Sequence, residues 1–323
     1  MHKRLLLLGA TLIAAPIAWA QPAWPTAKPI SIIVPFSAGG SVDTTARLLA
    51  EKLGEGLKQS VVVDNVTGAG GTIGVAKAAQ AAPDGYTLVM GADSPVAIAP
   101  YANPKAVRYD PARDLAPVGL VNTAPMVLVA RPTLPASNLP ELVRLARKEP
   151  GKLSYATSGI GTVLHLAMEM IKQQGQFFAT HVPYRGGAQI ATDVIGGQVD
   201  LAMLVSVSAA PQIQAGKLKA IAVTGAERLA ILPNVPTVAE TPGFKGFDVV
   251  AWTGLFAPAR TPAPVLERLN QELNAVLALP EVRARMQEQG ARPGSGSAQD
   301  FGRFVLREQT RYAQAVKAAG IKE

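Results

Sequence analysis

Short apolar segments alternate with amphipathic helical stretches along most of this chain, and that alternation limits the folds open to it. Ile30-Ser31-Ile32-Ile33-Val34 reads as a short buried strand that ends at Pro35-Phe36-Ser37-Ala38-Gly39-Gly40. Val42, Ala46, Leu49, Leu53 and Leu57 then recur at spacings of three and four, which is the period of a helix with one apolar face. Ser60 to Asp64 predicts a second strand, followed by Gly68-Ala69-Gly70-Gly71 and an Ala-rich helix to about Ala81. Pro83-Asp84-Gly85 makes a turn, and Tyr86 to Met90 predicts a third strand. Strand following helix in this order implies an α/β fold, with a parallel sheet covered on both faces.

The pattern then begins again. Pro125 to Ala130 predicts a strong strand, and Asn138 to Lys148 a helix with Asn138 as its cap. Further strands are expected at Lys152–Tyr155, Ala179–Val182, Val199–Met203 and Leu218–Thr224, with helices starting near Ala188 and Ser206. After the Pro-punctuated segment Leu232 to Thr237, a long strand is predicted over about Phe247 to Phe256. The segments at 125–131 and 247–257 bracket the second unit and sit where the chain must cross between two lobes. The tail is helical, with Leu266, Leu269, Leu273, Val276 and Leu277 on one face and Phe301, Val305, Tyr312 and Val316 on another. These faces need an apolar partner, and the first unit is the natural one. Lobe one is therefore placed at 25–124 plus 250–323, and lobe two at 125–249, a two-domain chain of ordinary size.

The first twenty residues read differently. Lys3 and Arg4 precede an apolar run from Leu5 to Ala18, and Ala18-Trp19-Ala20 supplies a small-x-small cleavage site. Residues 1–20 are expected to be a signal peptide, cut after Ala20 on export to the periplasm. The run is too short to stay in a bilayer, which takes roughly 20 apolar residues. The chain has no Cys, which rules out disulfides, thiolate nucleophiles and zinc-thiolate sites. Its net charge is +8; without Lys3 and Arg4, 29 Lys+Arg stand against 23 Asp+Glu. The basic residues are scattered, with no aromatic-interleaved basic stripe, so nucleic acid is not an expected partner. A positive overall field does suit anionic solutes.

Two strand-to-helix loops carry the strongest functional signal. Phe36-Ser37-Ala38-Gly39-Gly40-Ser41 follows the first strand of lobe one, and Thr157-Ser158-Gly159-Ile160-Gly161-Thr162 opens a helix in lobe two. Glycine lets backbone N–H groups approach a ligand, and a helix N-terminus adds unpaired donors and a positive dipole end. Such loops lie beyond the carboxyl ends of the strands, where open α/β sheets bind ligands. They read equally as tight turns with caps. Asp93 follows the third strand; if it faces the cleft, it is placed to receive a ligand ammonium. Asp200 reads more readily as a turn acid than as a cleft residue. The Gly68–Gly74 segment fails the dinucleotide fingerprint because Ile73 stands where the last glycine is needed. His165 sits among Leu164, Leu166 and Met168 and reads as packed; His181 precedes Pro183-Tyr184-Arg185-Gly186-Gly187 and is positioned to orient that loop. No nucleophile–base motif occurs, and no acids and histidines fall at metal-ligand spacing, so neither catalysis, metal nor cofactor is expected.

Taken in order, several of these segments resemble the Bug receptors, the TctC-like extracytoplasmic solute-binding proteins of tripartite tricarboxylate transporters. They include Val34-Pro35-Phe36-Ser37-Ala38-Gly39-Gly40-Ser41-Val42-Asp43, Ala82-Pro83-Asp84-Gly85-Tyr86, Ser158-Gly159-Ile160-Gly161-Thr162, His181-Val182-Pro183-Tyr184-Arg185-Gly186-Gly187 and Gly196-Gly197-Gln198-Val199-Asp200. The resemblance implies a type II periplasmic binding protein fold, two α/β lobes joined by two hinge strands with the ligand cleft between them. It implies that the loops at Phe36–Ser41 and Thr157–Thr162 hold a ligand carboxylate; Tyr184, Asp93 and Asp200 are further candidates from their own positions in the sequence. The ligand would be a di- or tricarboxylate, an amino acid or an aromatic acid. The partner would be membrane transporter subunits or, alternatively, a sensor histidine kinase, with the receptor itself a monomer; a hydrolase on this fold is a third reading. Three segments depart from the family's usual residues: Asn65-Val66-Thr67, Ala92-Asp93-Ser94 and Met203-Leu204-Val205-Ser206.

Overall fold

The computed structural model describes residues 24–321, and the expected signal peptide at 1–20 lies outside the described residues. Strands β1 (Ile30–Val34), β2 (Val61–Asn65) and β3 (Thr87–Ala92) form a parallel sheet with β1 in the middle. β1 is almost wholly buried because apolar side chains leave both its faces, the pattern of a strand covered by helices on each side. A long strand, β4 (Leu115–Ala130), runs through both lobes. Its first part pairs antiparallel with β9 (Val250–Pro258), which in turn pairs with β3. Its second part, from Met126, pairs with β7 (Leu201–Val205) and β8 (Lys219–Val223). β7 is parallel to β5 (Ser154–Thr157), and β5 to β6 (Thr180–Pro183). The short β10 (Arg292–Pro293) closes on the first part of β4.

The crossing strand is longer than the sequence predicts. The reading at 125–131 begins at Pro125, but the structure starts β4 at Leu115 and carries it past Pro117 and Pro125. At about 3.4 Å per residue, sixteen residues reach roughly 50 Å, enough to traverse both lobes. Register shifts at Pro117/Gly119 and Leu120/Asn122 bend it, and such irregularities are where prolines and glycines are tolerated in a sheet. Two lobes connected by β4 and by the chain entering β9 are the result.

Thr224 fastens the two crossing segments to each other. Its Oγ1 accepts the Met126 N–H at 2.9 Å and donates to the Val249 carbonyl at 2.6 Å, while its backbone pairs with both residues. The side chain is fully buried. Thr224→Val keeps the shape but leaves the Met126 N–H and the Val249 carbonyl short of partners. It is expected to lower the unfolding free energy by about 1–3 kcal/mol in urea titrations, with the same fold by circular dichroism.

The C-terminal helix Ala298–Ala319 lays Phe301, Val305, Tyr312 and Val316 against the first lobe. Phe301 meets the rings of Trp252 and Phe256 on β9, with centroids 6.0 and 5.0 Å apart. At its far end Gln173 of the second lobe donates to the Ala318 carbonyl.

Candidate functional site

A cavity of about 60 Å³ lies between the lobes. Its floor is built from the crossing strands: Asn122 and Ala124 on β4, and Ala251, Trp252 and Thr253 on β9. The walls come from the carboxyl ends of the parallel strands, where the chain turns into helices. Phe36, Gly40, Ser41 and Val42 follow β1, Ala92, Asp93 and Ser94 end β3, Ser158 and Val163 follow β5, and Leu204 ends β7.

Of the helices that start at this cavity, three have no side-chain cap. Gly40 caps Ser41–Leu57, Gly186 caps Gly187–Ile195, and Val205 caps Ser206–Gln214, each without a side-chain hydrogen bond to the first turn. All three termini contribute lining residues: Gly40 to Val42, Gly186 and Gly187, and Val205, Val207 and Ser208. An uncapped first turn leaves backbone donors free and presents the positive end of the helix dipole. By contrast, helix Leu139–Lys148, remote from the cavity, carries the expected Asn138 cap on the Glu141 N–H. Among the described residues no Lys or Arg lines the cavity. Any attraction for an anion therefore comes from backbone donors, hydroxyls and the neutral N–H groups of Asn122 and Trp252.

The two loops singled out by sequence behave differently from each other. In the first, Phe36, Gly40 and Ser41 line the cavity, but Ser37, Ala38 and Gly39 do not. The Gly39 N–H is taken by Asp43 Oδ2 at 2.8 Å, and the buried Ser37 hydroxyl has no partner among the described residues. In the second loop only Ser158 lines the cavity. Thr157 Oγ1 accepts the Gly159 N–H, His165 Nδ1 accepts the Gly161 N–H, and Thr162 caps the next helix through the His165 N–H. That loop spends most of its donors on itself.

Its neighbours explain why it is so well ordered. The rings of His165 and His181 stack with centroids 4.2 Å apart, and Tyr155 stacks on His181 at 4.9 Å. His181 Nε2 lies 2.7 Å from Thr157 Oγ1. Burial, with His165 beside it, pushes the His181 ring down to about 4, and burial likewise lowers His165. Both rings are therefore uncharged near neutrality, and both act on loop geometry. Since Gly161 donates to Nδ1 of His165, that ring carries its proton on Nε2.

Asp93 does reach the cavity. Its side chain is only 2 % exposed; Oδ1 accepts from the Ser94 N–H and hydroxyl, and Oδ2 from the Trp252 N–H at 3.0 Å. Burial lifts its carboxyl to about 7. Ser94 Oγ in turn accepts the Val163 N–H of the other lobe at 3.1 Å.

Tyr184 and Asp200 stand apart from the cavity. The Tyr184 hydroxyl donates to Asp193 Oδ2. Asp200 precedes β7, at the end of the strand opposite the cavity, and its carboxylate is held by Arg131 and by the Ser154 N–H and hydroxyl. It ties together the ends of three adjacent strands, β4, β7 and β5, as a turn acid would.

The lobes meet backbone to backbone. A Cβ placed on Gly159 would lie 3.4 Å from Gly70 Cα, and one on Gly161 3.1 Å from the Ala102 methyl. One on Gly186 would collide with Ser37 Oγ and stand 3.0 Å from Ser37 Cβ. The Gly68–Gly71 cluster, which carries no nucleotide signal, thus serves as a flat seat for the opposing loop. Sequence reasoning did not select Thr45, Asn122, Trp252, Thr253 or the Gly186–Gly187 pair as site residues. The pair had a readable signal, two glycines at a helix start with no Ser, Thr, Asp or Asn to cap it. The β4 and β9 residues had none, because alternation along a strand does not say which face meets a ligand.

Comparison with known proteins places this geometry in context. The family model for the tripartite tricarboxylate transporter family receptor, TctC, matches residues 45–321. A solved R. palustris protein with adipate is 34 % identical with a TM-score of 0.89, covering 93 % of this chain and 99 % of its own. The periplasmic binding protein BugD is 37 % identical with a TM-score of 0.87, covering 92 % and 99 %. MatC from Rhodopseudomonas palustris, solved with malate, is 33 % identical with a TM-score of 0.86, covering 90 % and 99 %.

Proposed function

Because the chain belongs to the tripartite tricarboxylate transporter receptor family, we propose that it is a periplasmic solute-binding receptor whose lobes close over a small carboxylate-bearing ligand without chemically altering it. The convergence of three uncapped helix N-termini on one interlobe cavity carries this reading. Uncapped first turns around one cavity that no lysine or arginine lines, among the described residues, suit a carboxylate held by backbone N–H groups. Adipate and malate in the two R. palustris relatives are carboxylates of that kind. We take 25–124 plus 250–323 and 125–249 as the moving bodies, with β4 and the start of β9 as the hinge. The signal-peptide reading of residues 1–20 places the chain outside the inner membrane, where it would hand its solute to the transporter's membrane subunits.

Native mass spectrometry of protein purified without refolding, followed by thermal shift over mono-, di- and tricarboxylates and amino acids, tests the proposal. A true ligand at a hundred times its Kd should stabilise the chain by about 2.7 kcal/mol, a rise of several degrees. The bound compound should be recovered unchanged after incubation. Turnover of it, or no response to any carboxylate, would sink the reading.

A further inference from the structure

We propose that the cavity selects a compact amino acid, with the ligand ammonium seated on Asp93 Oδ2 and its carboxylate at the helix N-termini. This rests on the carboxylate-receptor reading and narrows it. Asp93 is the one ionisable side chain lining the cavity among the described residues, and no lysine or arginine lines it to pair with that acid. A carboxylate has about four acceptor positions. Ser94 fills two on Oδ1, and the Trp252 N–H fills one on Oδ2, so one remains on Oδ2. A buried carboxylate without a cation is costly unless a charge partner arrives, and a ligand ammonium is such a partner.

The same group discriminates against other ligands. A second ligand carboxylate would meet a like charge in a site sheltered from solvent. The enclosed space of about 60 Å³ also favours a compact ligand over a bulky one. Part of the remaining wall, including Phe36, Val163, Leu164, Leu204 and Trp252, is apolar, beside the polar Thr45, Asn122, Ser158 and Thr253. That wall suits a short aliphatic side chain.

The groups facing Asp93 set how this should vary with pH. Ser94 and the Trp252 N–H favour the ionised form; burial, with Glu308 of the C-terminal helix, disfavours it. Tyr312 on that helix has its hydroxyl pushed well up, so it stays neutral, and Arg311 stacks on the Tyr312 ring and pairs with Glu308. An ammonium ligand should therefore bind better as pH rises through about 7, where Asp93 ionises.

Calorimetry at about pH 7.5 with alanine, 2-aminobutyrate and valine, set beside propionate, butyrate, isovalerate, succinate and propylamine, reads this directly. Losing the ammonium should cost about ten- to hundredfold in affinity, the worth of a charge-assisted hydrogen bond. Asp93→Asn should erase the preference for the amino acid over its deaminated partner. Should that variant fail to fold, the wild-type titration from about pH 5.5 to about pH 8 serves instead, with tightening for 2-aminobutyrate and none for butyrate. Butyrate or succinate binding as tightly as 2-aminobutyrate overturns the inference and leaves the carboxylate receptor standing. Propylamine matching 2-aminobutyrate overturns the carboxylate reading itself. Binding of none of the three amino acids overturns the inference.

Discussion

Gly186→Ala is expected to weaken ligand binding by roughly tenfold to above a hundredfold while the chain stays folded. Gly186 has φ 171° and ψ 165°, an extended backbone that any residue adopts, so the methyl group costs nothing within the second lobe. Its collision is entirely with the first lobe, at Ser37 Oγ, with Ser37 Cβ at 3.0 Å and the Ser37 N at 3.2 Å. The hydroxyl can turn about χ1, but Cβ and N are fixed to a short loop whose neighbours Phe36 and Gly40 are buried, so those two contacts stay tight. Opening the lobes relieves the overlap completely. The substitution thus acts as overpacking in the closed state only, worth about 1–3 kcal/mol or more. If only the closed form binds, apparent affinity falls by the closed fraction, roughly tenfold to above a hundredfold. At a ligand concentration that just saturates the wild type, small-angle scattering of the variant should show a larger radius of gyration, with unchanged circular dichroism. Ser37→Gly removes Oγ and Cβ together, so Gly186→Ala with Ser37→Gly should recover much of the lost affinity. Failure of that rescue, or tight binding by the single variant, would place the closing contact elsewhere. Gly39 and Gly159 are less clean sites for this test. Their φ values of 76° and 130° strain any other residue whether the lobes are open or closed.

The strand–helix alternation was legible because it is a local property. β1 falls on Ile30–Val34 as the apolar run requires, and helices start at Gly187 and Ser206, within a residue of where the pattern puts them. β4 was not legible in full. Pro117, Gly119, Asn122 and Pro125 break the alternation expected of a strand, and only the bulged pairing with β9 shows why they are tolerated. The site shows the same division. Gly40 and Ser41 were readable from glycine at a helix start, but the lobe-two donors were assigned to Thr157–Thr162, where hydroxyls and glycines cluster. In the structure those hydroxyls satisfy the loop's own N–H groups, while the plainer Gly186–Gly187 start reaches the cavity uncapped. A hydroxyl-rich loop advertises donors and acceptors together, and sequence does not reveal that they cancel. Asn122 and Thr253, joined at 2.8 Å across the floor, depend on two strands about 130 positions apart meeting in one register.

The stability of the protein should depend on pH through two groups that oppose one another, the buried Asp93 and the partly buried His181. Asp93, with its carboxyl at about 7 in the fold, keeps a proton that the unfolded chain gives up near its ordinary 3.8. Folding then takes up a proton between those limits, so this group's contribution is full below about pH 4 and is lost as pH rises through 7. His181, at about 4 in the fold against an ordinary 6.5, does the reverse. The unfolded chain binds a proton that the folded ring refuses, so stability is lost as pH falls from about 6.5 toward 4. The Asp93 difference corresponds to something on the order of 4 kcal/mol. His181 is only partly buried, and solvent screening reduces its share to about 2 kcal/mol. In the wild type the two slopes largely offset each other between pH 4.5 and 6.5, leaving a shallow decline that continues alone to just above pH 7. Asp93→Asn removes one of them. Its amide must face either the Trp252 or the Ser94 N–H, so its absolute stability shifts for that reason also, and the slope is the diagnostic quantity. That slope should turn positive, with the melting temperature rising by several degrees from about pH 4.5 to 6.5. His181→Gln should instead steepen the fall over the same range. Parallel wild-type and Asp93→Asn curves in calorimetric scans would show that Asp93 is ionised throughout, and that its carboxylate is solvated in a way the buried site does not allow.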